Sequence, residues 1–366
     1  MKSSTARITS IDALRAVALL GILIVHASEL FGFFNPRNSF DHYLPSDWSL
    51  VENINLLFSG RCSAIFSILF GVSFYLILRK PSYSGLKFVW RCVLLIMIGL
   101  LVKFFYSYEI LIWYGLWGAV LVLFRRLKPS FLFISFCVTH LLAVYLIRFS
   151  LGDLLFAPSD MSLNRYVSTD SLADIIGYPL YAAVVDHVRW VLNEGVLKAL
   201  SYFLLGYFFA KVGVIENLRK YSRLPYVLMF LVLYVGFFIA YQRVGGDACC
   251  YARNLFGAIF YAILFISFYY TFNRYISFSW LEAYGKLGLT NYCMQNICGV
   301  ILASTLFLPF KFRVTTVLCC AIIFYLIQLI FSVVWLRYYK LGPLEWCWRV
   351  LTNLKYIPNR RREENC

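Results

Sequence analysis

The chain has 366 residues, of which 61% are hydrophobic, 19% aromatic and only 14% charged, against about 45–50% apolar and about 25% charged in an ordinary soluble domain. That balance excludes a water-soluble globule. The formal net charge of +16, from 34 basic and 18 acidic residues, would point to a polyanion in a soluble protein; in a membrane chain it reads first as topology, and no nucleic-acid partner is expected.

A membrane-spanning helix needs about 20 mainly apolar residues. Ten segments meet this in chain order: 13–34, 54–78, 88–105, 109–124, 130–149, 195–214, 224–241, 254–272, 287–308 and 314–336. The first is too long for a signal-peptide core and is expected to remain as a membrane helix. The expected fold is therefore an all-α polytopic bundle of about ten transmembrane helices, with residues 1–366 as a single domain. Residues 150–194 form an extracytoplasmic loop, within which 172–192 could be an interfacial or re-entrant helix. Residues 342–366 form a cytoplasmic basic tail that opens with an interfacial helix at Gly342-Pro343 and carries Trp346, Trp348 and Arg360 to Arg362.

The positive-inside rule sets the orientation. With a cytoplasmic N-terminus, 21 Lys/Arg fall on the inner side and 9 on the outer, leaving Arg15, Arg61, Arg91 and Lys198 in or at the helices. N-in and C-in follows. Of the eleven cysteines, most lie within apolar runs and read as small hydrophobes. No Cys or His spacing suggests a metal site. Gly-x-Ser-x-Gly, Walker and zincin patterns are absent from the sequence.

Ionisable groups within a span are candidates for function. The first helix holds Asp12, Arg15, His26 and Glu29. A step of eleven residues turns a helix only about 20° past three full turns, so Arg15 and His26 share a face about 16.5 Å apart. Asp12 precedes Arg15 by three and Glu29 follows His26 by three, so each can pair. One reading makes these a helix cap, a snorkelling cation and an interhelical strut. The other gives Arg15 the phosphates of a carrier and His26 the role of general base or acyl carrier, oriented by Glu29. Arg61, at a similar depth in the second span, either stabilises an oxyanion or forms an ion pair. Thr290, Asn291 and Gln295 on the ninth span are substrate ligands or interhelical glue, and Glu109 is a helix-dipole partner or a second acid/base group. His140 and His187 are weaker candidates, one packed in an apolar helix and the other in the outer loop.

Several runs together resemble one family. They are Arg7 to His26 (RITSIDALRAVALLGILIVH), Phe58 to Arg61 with Ile65 to Gly71, Tyr108 to Leu111, Tyr284 to Tyr292, and Gly342 to Trp346 with Trp348-Arg349. In order and nearly end to end, they resemble the YeiB-like domain-of-unknown-function family of bacterial inner-membrane proteins. That family is grouped with the transmembrane acyltransferase superfamily, which includes acyltransferase family three. His26 stands where YeiB-like relatives often have Asn, and Glu109 where they have Asp; with His26, the Arg15-ten residues-His26 arrangement resembles the family-three signature.

The resemblance implies a multi-pass protein of the bacterial cytoplasmic (inner) membrane that moves an acyl group, acetyl foremost, from cytoplasmic acyl-CoA to an extracytoplasmic or membrane-associated acceptor such as a cell-envelope glycan or glycolipid. In that expectation His26, Glu29 and Arg61 are catalytic, Arg15 binds the acyl-CoA, and Glu109, Asn291 and Gln295 bind substrate. No metal is required, membrane lipids surround the bundle, and a homodimer is compatible. The alternatives are a transporter or exporter of a small anionic or lipid-linked solute, and a non-enzymatic partner in an envelope-synthesis complex.

Overall fold

The computed structural model describes residues 8–30, 45–80, 83–103, 105–106, 109–148, 196–301 and 313–361. Among them the regular elements are helices: α1 (Thr9–Leu30), α2 (Pro45–Leu57), α3 (Arg61–Leu78), α4 (Gly85–Lys103), α5 (Leu111–Leu121) with a 3-10 turn at Val122–Phe124, α6 (Pro129–Arg148), α7 (Val196–Lys211), α8 (Leu218–Tyr221), α9 (Leu224–Val244), α10 (Asp247–Phe272), α11 (Ser279–Lys286), α12 (Gly288–Ile301), α13 (Val314–Tyr338) and α14 (Pro343–Asn353). Seven helical stretches among the described residues are long and apolar enough to cross a membrane: Thr9–Leu30, Ser46–Leu78, Gly85–Lys103, Pro129–Leu146, Leu224–Val244, Asp247–Phe272 and Val314–Tyr338; Leu111–Phe124 is apolar but shorter. Helix falls on at least part of each of the ten apolar segments; within the described residues α7 and α12 run for 16 and 14 residues, each bordering residues outside the description. The expected loop 150–194, including the stretch 172–192 and His187, lies outside the described residues, as does Arg362.

The segment expected as one helix from 54 to 78 is instead two helices, α2 and α3. The break falls at Gly60, whose φ of 76° is left-handed and suits a residue without a Cβ. The Asn254 side chain of α10 occupies the space a Cβ would need, so the break is also a helix contact.

Helix α1 is the centre of the bundle, touching α3, α10, α11, α12 and α13. Small residues make this possible: Ala13, Ala16 and Ala18 are buried, and a Cβ on Gly285 would overlap the Asp12 carbonyl oxygen. In an apolar solvent such close backbone approach replaces the hydrophobic drive that water supplies. The α3–α7 contact uses the same device in both directions. A Cβ at Gly71 would overlap the Phe203 carbonyl, and one at Gly206 the Ile68 carbonyl. By contrast α9 presents Leu228, Val232, Val235 and Ile239 outward, as a lipid-facing helix would.

The C-terminal helix docks onto the bundle. Trp348 is buried, donates from Nε1 to the Arg91 carbonyl at 2.8 Å and carries the Arg91 guanidinium 3.6 Å above its ring centroid. At its other end α14 and α12 cap each other. Glu345 Oε1 accepts from the backbone N–H groups of Leu289 at 2.7 Å and Thr290 at 3.1 Å, while Thr290 Oγ1 accepts from the N–H of Leu344 at 3.1 Å. Each helix start thus has its free donors met by a side chain of the other.

Burial holds the Glu345 carboxyl above the usual carboxylate range, against the opposing pull of its hydrogen bonds from Thr290 and Leu289. A group with a raised folded pKa contributes stability below its unfolded pKa, and that contribution is lost as pH rises through the folded value. Two results are expected in thermal unfolding of the detergent-solubilised protein. Glu345→Ala should cost about 1–2 kcal/mol, the scale of a lost cap, and wild type should gain stability relative to Glu345→Gln as pH is lowered toward the ordinary carboxylate range.

Candidate functional site

Arg15 and His26 both face the α11–α12 segment, as their common helix face requires. Arg15 Nη1 donates to Asp12 Oδ1 at 2.7 Å and to the Gly285 carbonyl at 3.3 Å, and Nη2 donates to Ser73 Oγ at 3.2 Å. The expected pair with Asp12 is present, and the same guanidinium also joins α1 to α3 and to the end of α11. Eleven residues further on, His26 Nδ1 lies 2.9 Å from Asn296 Oδ1 on α12.

Asn296 is the residue the sequence reading missed. Its amide joins His26 to Glu109: Nδ2 donates to Glu109 Oε2 at 3.3 Å. With Glu109 ionised it can only accept, which leaves the amide oxygen for His26 and puts the ring proton on Nδ1. His26 Nε2 then carries the lone pair and has no partner among the described residues. Glu109 is fully buried and held by more than Asn296. Its Oε1 accepts from the Leu111 N–H at 2.6 Å, at the start of α5, and from the Tyr292 hydroxyl at 3.4 Å. The helix-start role and the contact with the His26 chain coexist in one carboxylate.

Two tyrosines frame the imidazole. Tyr106 and Tyr292 lie with ring centroids 4.8 Å and 6.1 Å from His26. The Tyr106 hydroxyl donates to Glu29 Oε2 at 2.7 Å. Glu29 therefore does not orient His26 by a direct hydrogen bond; it holds a ring that packs on the imidazole, and Asn296 takes the orienting position.

Three other expected site residues go elsewhere. Asn291 Nδ2 donates to the Tyr284 carbonyl at 3.1 Å and to Ser332 Oγ at 3.0 Å, and Gln295 Nε2 donates to the Tyr284 hydroxyl at 2.7 Å and to Gln328 Oε1 at 3.3 Å. Both are buried between α12 and α13, which matches the interhelical-glue alternative. Arg61 is fully buried and donates from Nη1 to the carbonyls of Ser59 at 2.8 Å and Asn55 at 3.2 Å, closing the end of α2. Its neighbour Cys62 packs on Gly21, five residues or about 7.5 Å before His26 along α1. Arg61 thus comes near the depth of His26, but its guanidinium turns to α9, 5.8 Å from the centroid of Tyr234. The structure does not join it to the His26 chain. His140 hydrogen-bonds Ser201 at 3.1 Å, as a packed histidine does.

Asn296 was legible only indirectly. It follows Tyr292 by four residues and so lies on the same face of α12, one step of about 100° from the polar face formed by Asn291 and Gln295. Among the described residues, no group of three or more His, Cys, Asp or Glu side chains is placed to hold a metal ion.

Fold and site together define an all-helical protein with membrane-length apolar helices and a His-Asn-Glu chain across α1, α12 and the start of α5. Residues 215–355, from just before α8 to just past α14, match the family described as "Protein of unknown function (DUF418)". The whole chain is similar to proteins of nearly its own extent. It is 28% identical to the Escherichia coli (strain K12) "Uncharacterized protein YeiB", over 94% of this chain and 96% of that protein. It is 25% identical to the Bacillus subtilis (strain 168) "Uncharacterized protein YxaH", over 96% of each. With the "Uncharacterized 39.9 kDa protein in amylase 3'region" of Bacillus acidopullulyticus it shares 28% identity, over 98% of this chain and 97% of that protein. No solved structure matches the chain.

Proposed function

We propose that this chain is a YeiB-like acyltransferase of the bacterial inner membrane, N-in and C-in, which moves an acyl group from cytoplasmic acyl-CoA to an acceptor such as a cell-envelope sugar. The observation that carries this reading is the hydrogen-bond chain from His26 through Asn296 to Glu109. Asn296 fixes the His26 Nδ1–H and Glu109 backs Asn296, so the basic lone pair stands on Nε2. An imidazole held in one tautomer by a hydrogen-bonded partner is the arrangement general-base catalysis needs.

The reaction balances on this residue. His26 Nε2 takes the proton of the acceptor hydroxyl or amine as its oxygen or nitrogen bonds to the thioester carbonyl carbon. The carbon–sulfur bond then breaks, and the departing thiolate takes the proton back from Nε2. Asn296 accepts a hydrogen bond from the transient imidazolium, and the Glu109 carboxylate adds charge stabilisation through the amide.

Arg15 fits the donor's phosphates in part, because Asp12, Ser73 and Gly285 already occupy donors of both terminal nitrogens. We assign it first to positioning α1. Lys286, which follows Gly285, adds positive charge beside Arg15. The test is acyl transfer from labelled acyl-CoA to a cell-envelope glycan fraction by the purified full-length protein. Transfer by wild type and its loss in His26→Ala are expected; full activity in the variant would refute the role of His26. Solute flux in proteoliposomes with no requirement for acyl-CoA would replace the reading with transport.

A further inference from the structure

The second buried polar cluster, where α3, α7, α9 and α10 meet, contains two guanidiniums and, among the described residues, no carboxylate. Arg61 opens α3, and Arg253 lies on α10; they are 0% and 8% exposed. Arg61 Cγ lies 3.3 Å from where a Cβ of Gly257 would stand. Arg253 precedes Gly257 by four residues, hence on the same face about 6 Å along the helix. The two cations are near enough to feel each other's charge, and neither forms an ion pair among the described residues.

Aromatic rings of α9 wall the cluster. Tyr234 lies 5.8 Å from the Arg61 guanidinium and Tyr241 lies 4.2 Å from that of Arg253, seven residues apart on one face. Among the described residues, several polar atoms here are buried without a hydrogen-bond partner: Arg61 Nε and Nη2, Arg253 Nε, Asn254 Oδ1 and the hydroxyl of Tyr202 on α7. Tyr202 is within electrostatic reach of Arg61. Unpaired buried cations and orphaned donors are costly, and in a membrane bundle such groups mark a ligand site.

We propose that Arg61 and Arg253 form a binding site for a phosphoryl group. Two guanidinium forks and a hydroxyl, presented from three helices, match an oxyanion with about two negative charges; one carboxylate would leave a net positive charge inside the bundle. The outward apolar face of α9 borders the site, so a lipid could deliver the group, as could a soluble phosphate. The site does not depend on the reaction proposed for His26.

The test uses full-length protein in neutral detergent and follows thermal unfolding by tryptophan fluorescence during titration with phosphatidic acid, with inorganic phosphate, and with phosphatidylcholine as control. A rise in Tm is expected with phosphatidic acid or inorganic phosphate and not with phosphatidylcholine. A rise with the lipid alone assigns a lipid headgroup, and a rise with inorganic phosphate assigns a soluble ligand. In Arg253→Gln the half-saturating concentration should increase at least about tenfold. Arg61→Lys, which keeps a charge but loses the fork, tests the other arm and should also weaken binding. Should Arg253→Gln fail to fold, Arg253→Lys carries the measurement. No shift with either anion, or equal half-saturation in wild type and the Arg253 and Arg61 variants, would overturn the site.

Discussion

Replacing Asn296 with leucine is expected to reduce acyl transfer about 10²–10⁴-fold, the range over which a positioned acid/base group contributes. The residue touches no reacting atom in the proposed reaction; its effect comes through His26. Leucine at 296 removes the acceptor for Nδ1–H, so the proton is free to move to Nε2 and block the basic position. It also leaves Glu109 without its link to the ring. Because His26 and Asn296 act as one unit, adding Asn296→Leu to His26→Ala should cost little more than His26→Ala alone. Glu109→Gln keeps an acceptor for Asn296 and for the Leu111 N–H but loses the charge, so its loss should be smaller. The decisive measurements are kcat, KM and the pH–rate profile. A fall in kcat with an altered profile is expected, whereas a loss confined to protein yield, with normal kcat in the folded fraction, would reduce Asn296 to a packing role.

The second large effect is structural. Gly206→Leu should cost about 3 kcal/mol or more, at or beyond the upper end of the usual overpacking range, because the added side chain meets backbone rather than a flexible neighbour. The Ile68 carbonyl of α3 already occupies the Cβ position, and Gly71 meets the Phe203 carbonyl of α7 in the same way. Helices α3 and α7 would have to separate, loosening the cluster that includes Arg61 and Tyr202. Gly236→Leu is the control, since nothing lies within 4 Å of a Cβ on that lipid-facing helix. Thermal unfolding in detergent should separate the two variants clearly, and equal Tm values would refute the close-contact account.

The sequence made most of the architecture legible because apolar length is a local property. A run of about 20 apolar residues has few structural options in a bilayer other than a helix, and helix falls on each of the ten runs. The helical repeat likewise placed Arg15 and His26 on one face before any neighbour was known, and i,i+3 spacing predicted the Asp12–Arg15 pair. The break between α2 and α3 was less visible: the apolar pattern runs up to and on from it, interrupted only by Ser59-Gly60-Arg61.

Site membership was not a local property. Asn291, Gln295 and Asn296 are three polar side chains on one short helix, and spacing alone favoured the first two. Which of them meets His26 depends on the rotation of α12 against α1, set by the Arg15–Gly285 contact, the Asn291–Ser332 bond and the cap from Glu345. Arg61 shows the same limit from the other side. Its depth was foreseen, yet the direction of its guanidinium follows from the turn at Gly60 and the packing of α9 and α10.

The net charge of +16 shows how the two levels divide. Its distribution along the chain could be read as orientation because each loop lies beside its own helices. The charges that this count left over, Arg15 and Arg61 among them, are held in part by near neighbours, Asp12 for one and the Asn55 and Ser59 carbonyls for the other, but their place in the bundle comes from contacts distant in sequence, with Ser73, Gly285 and Tyr234. Helix formation is decided by the residues of a segment and their solvent, whereas a hydrogen-bonded site requires several helices to meet at one rotation and depth, which tertiary packing alone determines.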